Sequence, residues 1–159
     1  MMRRFAVVVA GLTLALALAG TAAARSFSLV RSDVRTEIGT PGAPPGVVNV
    51  EENITVAFSG AYTFGFRDIP LRDGETIDGI AVAENGRAYG PGAPTALEPG
   101  GPPGTFGTER RGNEVRIVWR FQAADESRTF SLRYGIGGLA VAYDDVVDVN
   151  LKVWGDEWE

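Results

Sequence analysis

The chain contains no cysteine and no histidine. Without cysteine no disulfide can staple the fold, so stability must come from a hydrophobic core alone. Without histidine, Ser-His-Asp and Cys-His triads, the usual zinc sites and histidine pH switches are excluded together. Lys/Arg-rich runs are also missing. The formal charge is −5, and it falls to −7 when Arg3 and Arg4 leave with the leader described below. A net negative field repels nucleic acid and anionic membrane surfaces, so no nucleic-acid partner is expected. Amphipathic helix signals are scarce after Ala24, and no later apolar run is long enough to span a membrane.

What is present begins at the N-terminus. Arg3 and Arg4 precede an uncharged stretch from Phe5 to Gly20, and Ala22 and Ala24 place small residues just before Arg25. Charged start, apolar middle and A-x-A end are the three parts of a secretory signal peptide. The apolar run is shorter than the ~20 residues of a spanning helix. Residues 1–24 are therefore expected to be a helical signal peptide cut between Ala24 and Arg25. Residues 25–159 then form one exported domain, extracytoplasmic and in the cell envelope or tethered to a membrane.

That domain alternates with period two. From Glu114 to Gln122, Val115, Ile117, Trp119 and Phe121 share one face, with Arg116, Arg120 and Gln122 opposite. Phe130, Leu132, Tyr134 and Ile136 alternate with Thr129, Ser131 and Arg133. Across Ala124-Asp125-Glu126 these two strands are expected to form an antiparallel hairpin. Val48, Val50, Ile54, Val56 and Phe58 line a further inward face, and Ser26–Glu37 and Ile77–Ala83 are weaker strands. A last strand is expected from Val146 to Trp154, with Val147, Val149, Leu151 and Val153 inward. Gly60–Leu71 is aromatic and Gly-rich without a clean period and reads as a structured loop. Gly39–Gly46 is a turn-rich connector, and Gly90–Gly107 is a Gly/Pro-rich insertion, expected to be mobile and unable to hold a ladder. Short strands, such turns and no helix predict an all-β, immunoglobulin-like antiparallel sandwich.

Two ordered sets of residues carry a resemblance. One joins Val50–Phe58 to Gly65-Phe66-Arg67-Asp68-Ile69-Pro70-Leu71. The other runs from Trp119-Arg120-Phe121 through Arg128–Tyr134 and Tyr143-Asp144-Asp145 to Trp154-Gly155-Asp156-Glu157-Trp158. In order and spacing they resemble the predicted bacterial membrane proteins of domain-of-unknown-function family twenty-two-oh-seven. The resemblance implies an extracytoplasmic N-terminal β domain, with further strands and a membrane anchor beyond Glu159. It implies no catalytic residues.

Carboxylates are the remaining chemistry. Asp144, Asp145 and Asp148 cluster at the start of the last strand, and calcium takes several such oxygens. Alternation splits Asp145 from the other two, so the expectation is a turn and a solvated strand face, with no metal or cofactor. Glu52 falls in the inward register. A β-bulge at Glu51-Glu52 would turn it outward. A partner arginine is the alternative, and a glycosidase-like acid pair is the chemical version. Tyr62, Phe64 and Phe66 stand beside Arg67 and Asp68. Buried, they cap one end of the sandwich, with Arg67 paired to Asp68 or a nearby carbonyl. Exposed, they would stack on a sugar or a partner protein. Trp154 and Trp158 would cover a sheet face or meet a downstream segment. Asn53-Ile54-Thr55 is a glycosylation sequon of the kind that arises by chance.

The expectation is thus a non-enzymatic interaction or structural module, contacting an envelope protein or its own membrane segment. Membrane association would run through residues outside this chain. A carbohydrate-binding module on the Tyr62–Phe66 aromatics and a carboxylate-based hydrolase are the competing readings.

Overall fold

The computed structural model describes residues 25–39 and 46–151. The expected signal peptide with Ala24, together with Val153, Trp154 and Trp158, lies outside them. The described residues are all-β and form eleven strands: β1 (Ser26–Ile38), β2 (Val48–Ser59), β3 (Ala61–Pro70), β4 (Thr76–Glu84), β5 (Arg87–Ala88), β6 (Gly90–Pro91), β7 (Thr105–Arg111), β8 (Glu114–Ala124), β9 (Ser127–Gly137), β10 (Ala140–Ala142) and β11 (Val147–Val149). A five-stranded sheet runs β1-β2-β9-β4-β5 and a four-stranded sheet β3-β8-β7-β6; β10 and β11 make a separate ribbon. Every pairing is antiparallel except β6 with β7.

The two larger sheets meet on one core. Val48, Val50 and Ile54 of β2 and Phe130, Leu132, Tyr134 and Ile136 of β9 come from one sheet. Val115, Ile117, Trp119, Phe121 and Ala123 of β8 come from the other. Phe130 touches Trp119 and Phe121 across the layers, at ring separations of 5.5 and 4.7 Å. Each such large side chain removed from water contributes about 1.5–3 kcal/mol, which is how a domain without disulfides holds together.

β8 and β9 have the expected alternation, but they are not a hairpin. β8 pairs with β3 and β7, while β9 pairs with β2 and β4. The Asp125-Glu126 turn carries the chain from one sheet to the other. Alternation reports which face of a strand is buried, and it says nothing about the neighbour. A second arch lies beside the first: Gly60, at φ 84°, turns β2 directly into β3. The two arches are tied by Gly60 N–H donating to Asp125 Oδ1 at 2.8 Å and Phe58 N–H donating to Glu126 O at 2.9 Å.

The region expected to be a loop at Gly60–Leu71 is therefore mostly strand β3. A bulge between Tyr62 and Phe64 and the inward Arg67 break its alternation. The Gly/Pro segment also holds more order than its composition implies. Gly90–Pro91 pairs in parallel with Thr105–Phe106, and Thr105–Arg111 is a full strand. Counting the seven long strands as A to G, the immunoglobulin order is ABED on one sheet and CFG on the other. Here the fifth and seventh strands, β7 and β9, have exchanged sheets.

Candidate functional site

The arches stack β2 over β3 and β9 over β8. β1 then extends the larger sheet past the edge of the smaller one, because the strand order of the smaller sheet ends at β3. Among the described residues, no strand lies beneath the inward side chains of β1. Phe27 and Leu29 of β1, Val56 and Phe58 of β2, and the β3 segment Tyr62–Phe66 enclose an apolar cleft of about 330 Å³, floored by Trp119, Phe121 and Phe130. Aromatic contacts hold its shape. Phe58 packs on Tyr62 at 4.9 Å, and Phe27 meets Tyr62 edge-on at 6.1 Å while remaining 56% exposed.

Trp119 lies in the floor of the cleft. Its ring lies over Gly65, the cross-strand neighbour, so closely that a Cβ there would stand 2.6 Å from Cζ2. Only glycine permits this approach. Its Nε1–H is buried and has no hydrogen-bond partner among the described residues. A buried donor left unpaired costs about 1–3 kcal/mol.

The segment singled out from the sequence divides between environments. Tyr62 is half-buried in the cleft wall. The Arg25 guanidinium stands 5.8 Å from its ring centre and donates to the Ala61 carbonyl at 3.3 Å. Alternation places Phe64 and Phe66 opposite Arg67 and Ile69, so they contribute to the cleft at the edge of β3 that no described strand occupies, while their rings meet other partners. Arg120 stands 5.3 Å from the Phe64 ring centre and Arg116 5.1 Å from that of Phe66. These guanidinium groups cover ring faces on which a sugar would stack. Asp68 pairs with Arg116 through two contacts at 2.7 and 2.5 Å, and that hydrogen bond is the main reason Arg116 holds its proton even more firmly than usual.

Arg67 is not part of a surface loop. It points into the core, 2% exposed, and donates to Glu52 through Nε at 3.1 Å and Nη2 at 3.3 Å. Its Nη1 donates to the Asp68 carbonyl at 2.9 Å. Glu52 also accepts from Tyr134 Oη at 2.5 Å. Burial first, then the nearby Glu52 charge and this hydrogen bond, push the Tyr134 phenol well above its ordinary range. The bulge expected at Glu51-Glu52 does not exist: β2 pairs with β9 without interruption from Val48 to Ala57, and the bulge beside it is in β1, between Leu29 and Arg31. The partner arginine is what keeps Glu52 inward, since a buried carboxylate requires a paired charge. Both oxygens are occupied by Arg67 and Tyr134, which gives the core a bridge between sheets and no carboxylate pair at Glu52.

Arg120 was expected on a solvated face and is 1% exposed. It does point away from the core, but the Gly/Pro segment covers it. Its guanidinium donates at 2.6 Å to each of the Pro94, Ala96 and Glu98 carbonyls, gathering the loop onto the outer face of the smaller sheet. Gly107 belongs to the same seat, because a Cβ there would collide with the Ala93 carbonyl. Nothing in the strand pattern signals this cover. The one available cue is the density of backbone carbonyls freed by proline, which a buried guanidinium can collect.

Asp144 and Asp145 form the turn between β10 and β11, closed by Tyr143 N–H donating to Val146 O at 2.8 Å, and Asp148 is exposed on β11. Among the described residues no three acidic groups converge on a point that could hold a metal ion. The ribbon is shorter than the strand expected from Val146 to Trp154, and Val147, expected inward, is 57% exposed. Val149 and Leu151 do pack against the core.

Residues 43–159 match the family described as predicted membrane protein (DUF2207), N-terminal domain. No curated protein and no solved structure matches the chain. Among the described residues no helix is long and apolar enough to cross a membrane.

Proposed function

Because the chain belongs to the DUF2207 family of predicted membrane proteins, as its N-terminal domain, we propose that it is the exported, extracytoplasmic binding module of a membrane-associated protein. It carries out no catalysis of its own. The paired sheets act as a sandwich of immunoglobulin-like architecture with its own strand order, delivered across the membrane by the signal peptide at residues 1–24.

The module's partner is an extended, apolar segment of an envelope protein. One observation carries this reading: among the described strands, the larger sheet overhangs the smaller one by the place of one strand, β1. A strand laid beside β3 and under β1 would complete the smaller sheet. Its backbone would pair with the edge of β3 that no described strand occupies, and its alternate apolar side chains would fill the cleft. Main-chain pairing with pockets for alternate side chains is how sheet edges recognise extended peptides.

Photocrosslinking in the producing cell tests the reading. A crosslinker at position 27 should yield an adduct with an envelope protein, mapped by mass spectrometry to an extended apolar stretch. The adduct should be lost when Leu29→Trp fills the cleft, and a crosslinker at position 97, on the opposite loop, should give none. Equal adducts at both positions, or none at 27, would refute the assignment.

A further inference from the structure

β1 has a second unpaired side. It ends the strand order of the larger sheet, so no described strand pairs with its outer edge, where every second residue turns its N–H and C=O away from β2. A long exposed edge of this kind is a template for another strand. Val30, in the bulge between Leu29 and Arg31, and Ile38, at the end of the strand, are 60% and 53% exposed. Between them the outward face reads Arg31, Asp33, Arg35, Glu37, strictly alternating in sign, and the inward face reads Ser32, Val34, Thr36.

We propose that β1 pairs antiparallel with β1 of a second copy of this chain, on a two-fold axis at Val34, joining the two larger sheets into one. The register follows from the charges. Centred on Val34, Asp33 of one copy faces Arg35 of the other, and Arg31 faces Glu37, each pair occurring twice by symmetry. Ser32 faces Thr36, so the paired segment runs from Arg31 to Glu37 and stops at the bulge that holds Val30. Moving the axis to Asp33 opposes Arg31 to Arg35 and Asp33 to itself. Moving it to Arg35 opposes Asp33 to Glu37 and Arg35 to itself. Like charges directly opposite are destabilising, so both neighbouring registers are rejected and the one at Val34 stands.

Within one copy these residues already form the pairs Arg31–Asp33 and Arg35–Glu37, each with a closest contact of 2.5 Å. All four side chains are at least about half exposed, so exchanging partners across the axis requires no buried charge to be uncovered. Arg35 also stands opposite Glu51 of β2, which would leave it between two carboxylates in the dimer.

Analytical ultracentrifugation of the protein and of charge-reversed variants tests this. The protein is expected to be a dimer that weakens as salt is raised, because exposed charges are screened. Asp33→Arg alone and Arg35→Asp alone should each shift the species to monomer, since each places like charges opposite across the axis. Mixing the two variants should restore a dimer, now hetero-oligomeric, and Asp33→Arg with Arg35→Asp in one chain should restore the homodimer. Circular dichroism of each variant checks that the sheet content is unchanged. A monomeric parent protein, a dimer indifferent to single reversal, or singles that the mixture fails to rescue would each overturn the assignment.

Discussion

Arg67 Nε lies 3.1 Å from Glu52 Oε2, and the two side chains, one from each sheet, are 2% and 1% exposed. The domain thus carries an ion pair through a core that has no disulfide to bridge it. Truncating one member strands the other charge in an apolar interior. Arg67→Met is expected to lower the unfolding free energy by about 3–5 kcal/mol. Replacing Glu52, Arg67 and Tyr134 together by Leu, Met and Phe should recover most of that loss. Denaturant unfolding of the two proteins measures the difference.

Arg120 holds three carbonyls of the Gly/Pro segment, and each bond to a charged group is worth about 1.5–3 kcal/mol. Arg120→Met is therefore expected to raise cleavage of the Ala96-Leu97 bond by thermolysin by about tenfold or more, through local opening. The core strands should stay resistant over the same period. Gel-resolved time courses provide the readout.

The close approach of Trp119 to β3 leaves no room for a side chain at position 65. Gly65→Ala is expected to cost about 1–3 kcal/mol by overpacking and to alter the emission of Trp119. Fluorescence-monitored unfolding reports both.

Tyr134 and Tyr89 hold their protons above the ordinary phenol range. For both, burial is the largest cause, followed for Tyr134 by the charge of Glu52 and for Tyr89 by its 2.7 Å hydrogen bond to Glu84. A folded pKa raised above the unfolded one contributes stability that is complete below the unfolded value of about 10 and declines as pH rises beyond it. Alkaline titration of the phenolate band should therefore show these two tyrosines ionising together with unfolding, later than the ordinary range. Ionisation of all four tyrosines in the still-folded protein would contradict the burial of the Glu52 bridge.

Strands were legible where one face is apolar and the other polar. β8 and β9 show this along almost their whole length, and β2 shows it apart from Glu52. Their partners were not legible, because alternation is a property of one strand while pairing is a property of two. Hence an expected hairpin proved to be an arch between sheets. β3 was hidden by a bulge and by Arg67, a charge on an inward position that makes sense only with Glu52 from the opposite sheet. Arg120 misled for the converse reason. It lies on the outer face as its register requires, but a distant, proline-rich segment covers that face. In the candidate cleft, Tyr62 belongs to the aromatic segment that the sequence singles out. Phe27, Phe58 and Trp119 belong to three other strands, and only the stacking of β2 over β3 brings them together.

The overhang of β1 beyond β3 is the feature on which the functional reading depends, and amide hydrogen exchange probes it most directly. Exchange is compared between the protein in its native envelope and the purified protein, with mass-spectrometric readout by segment. Residues 61–70 and 26–30 are expected to exchange more slowly in the envelope, as a partner strand occupies the free edge of β3, while residues 92–103 exchange equally in both. Identical exchange of residues 61–70 in the two settings would contradict the account.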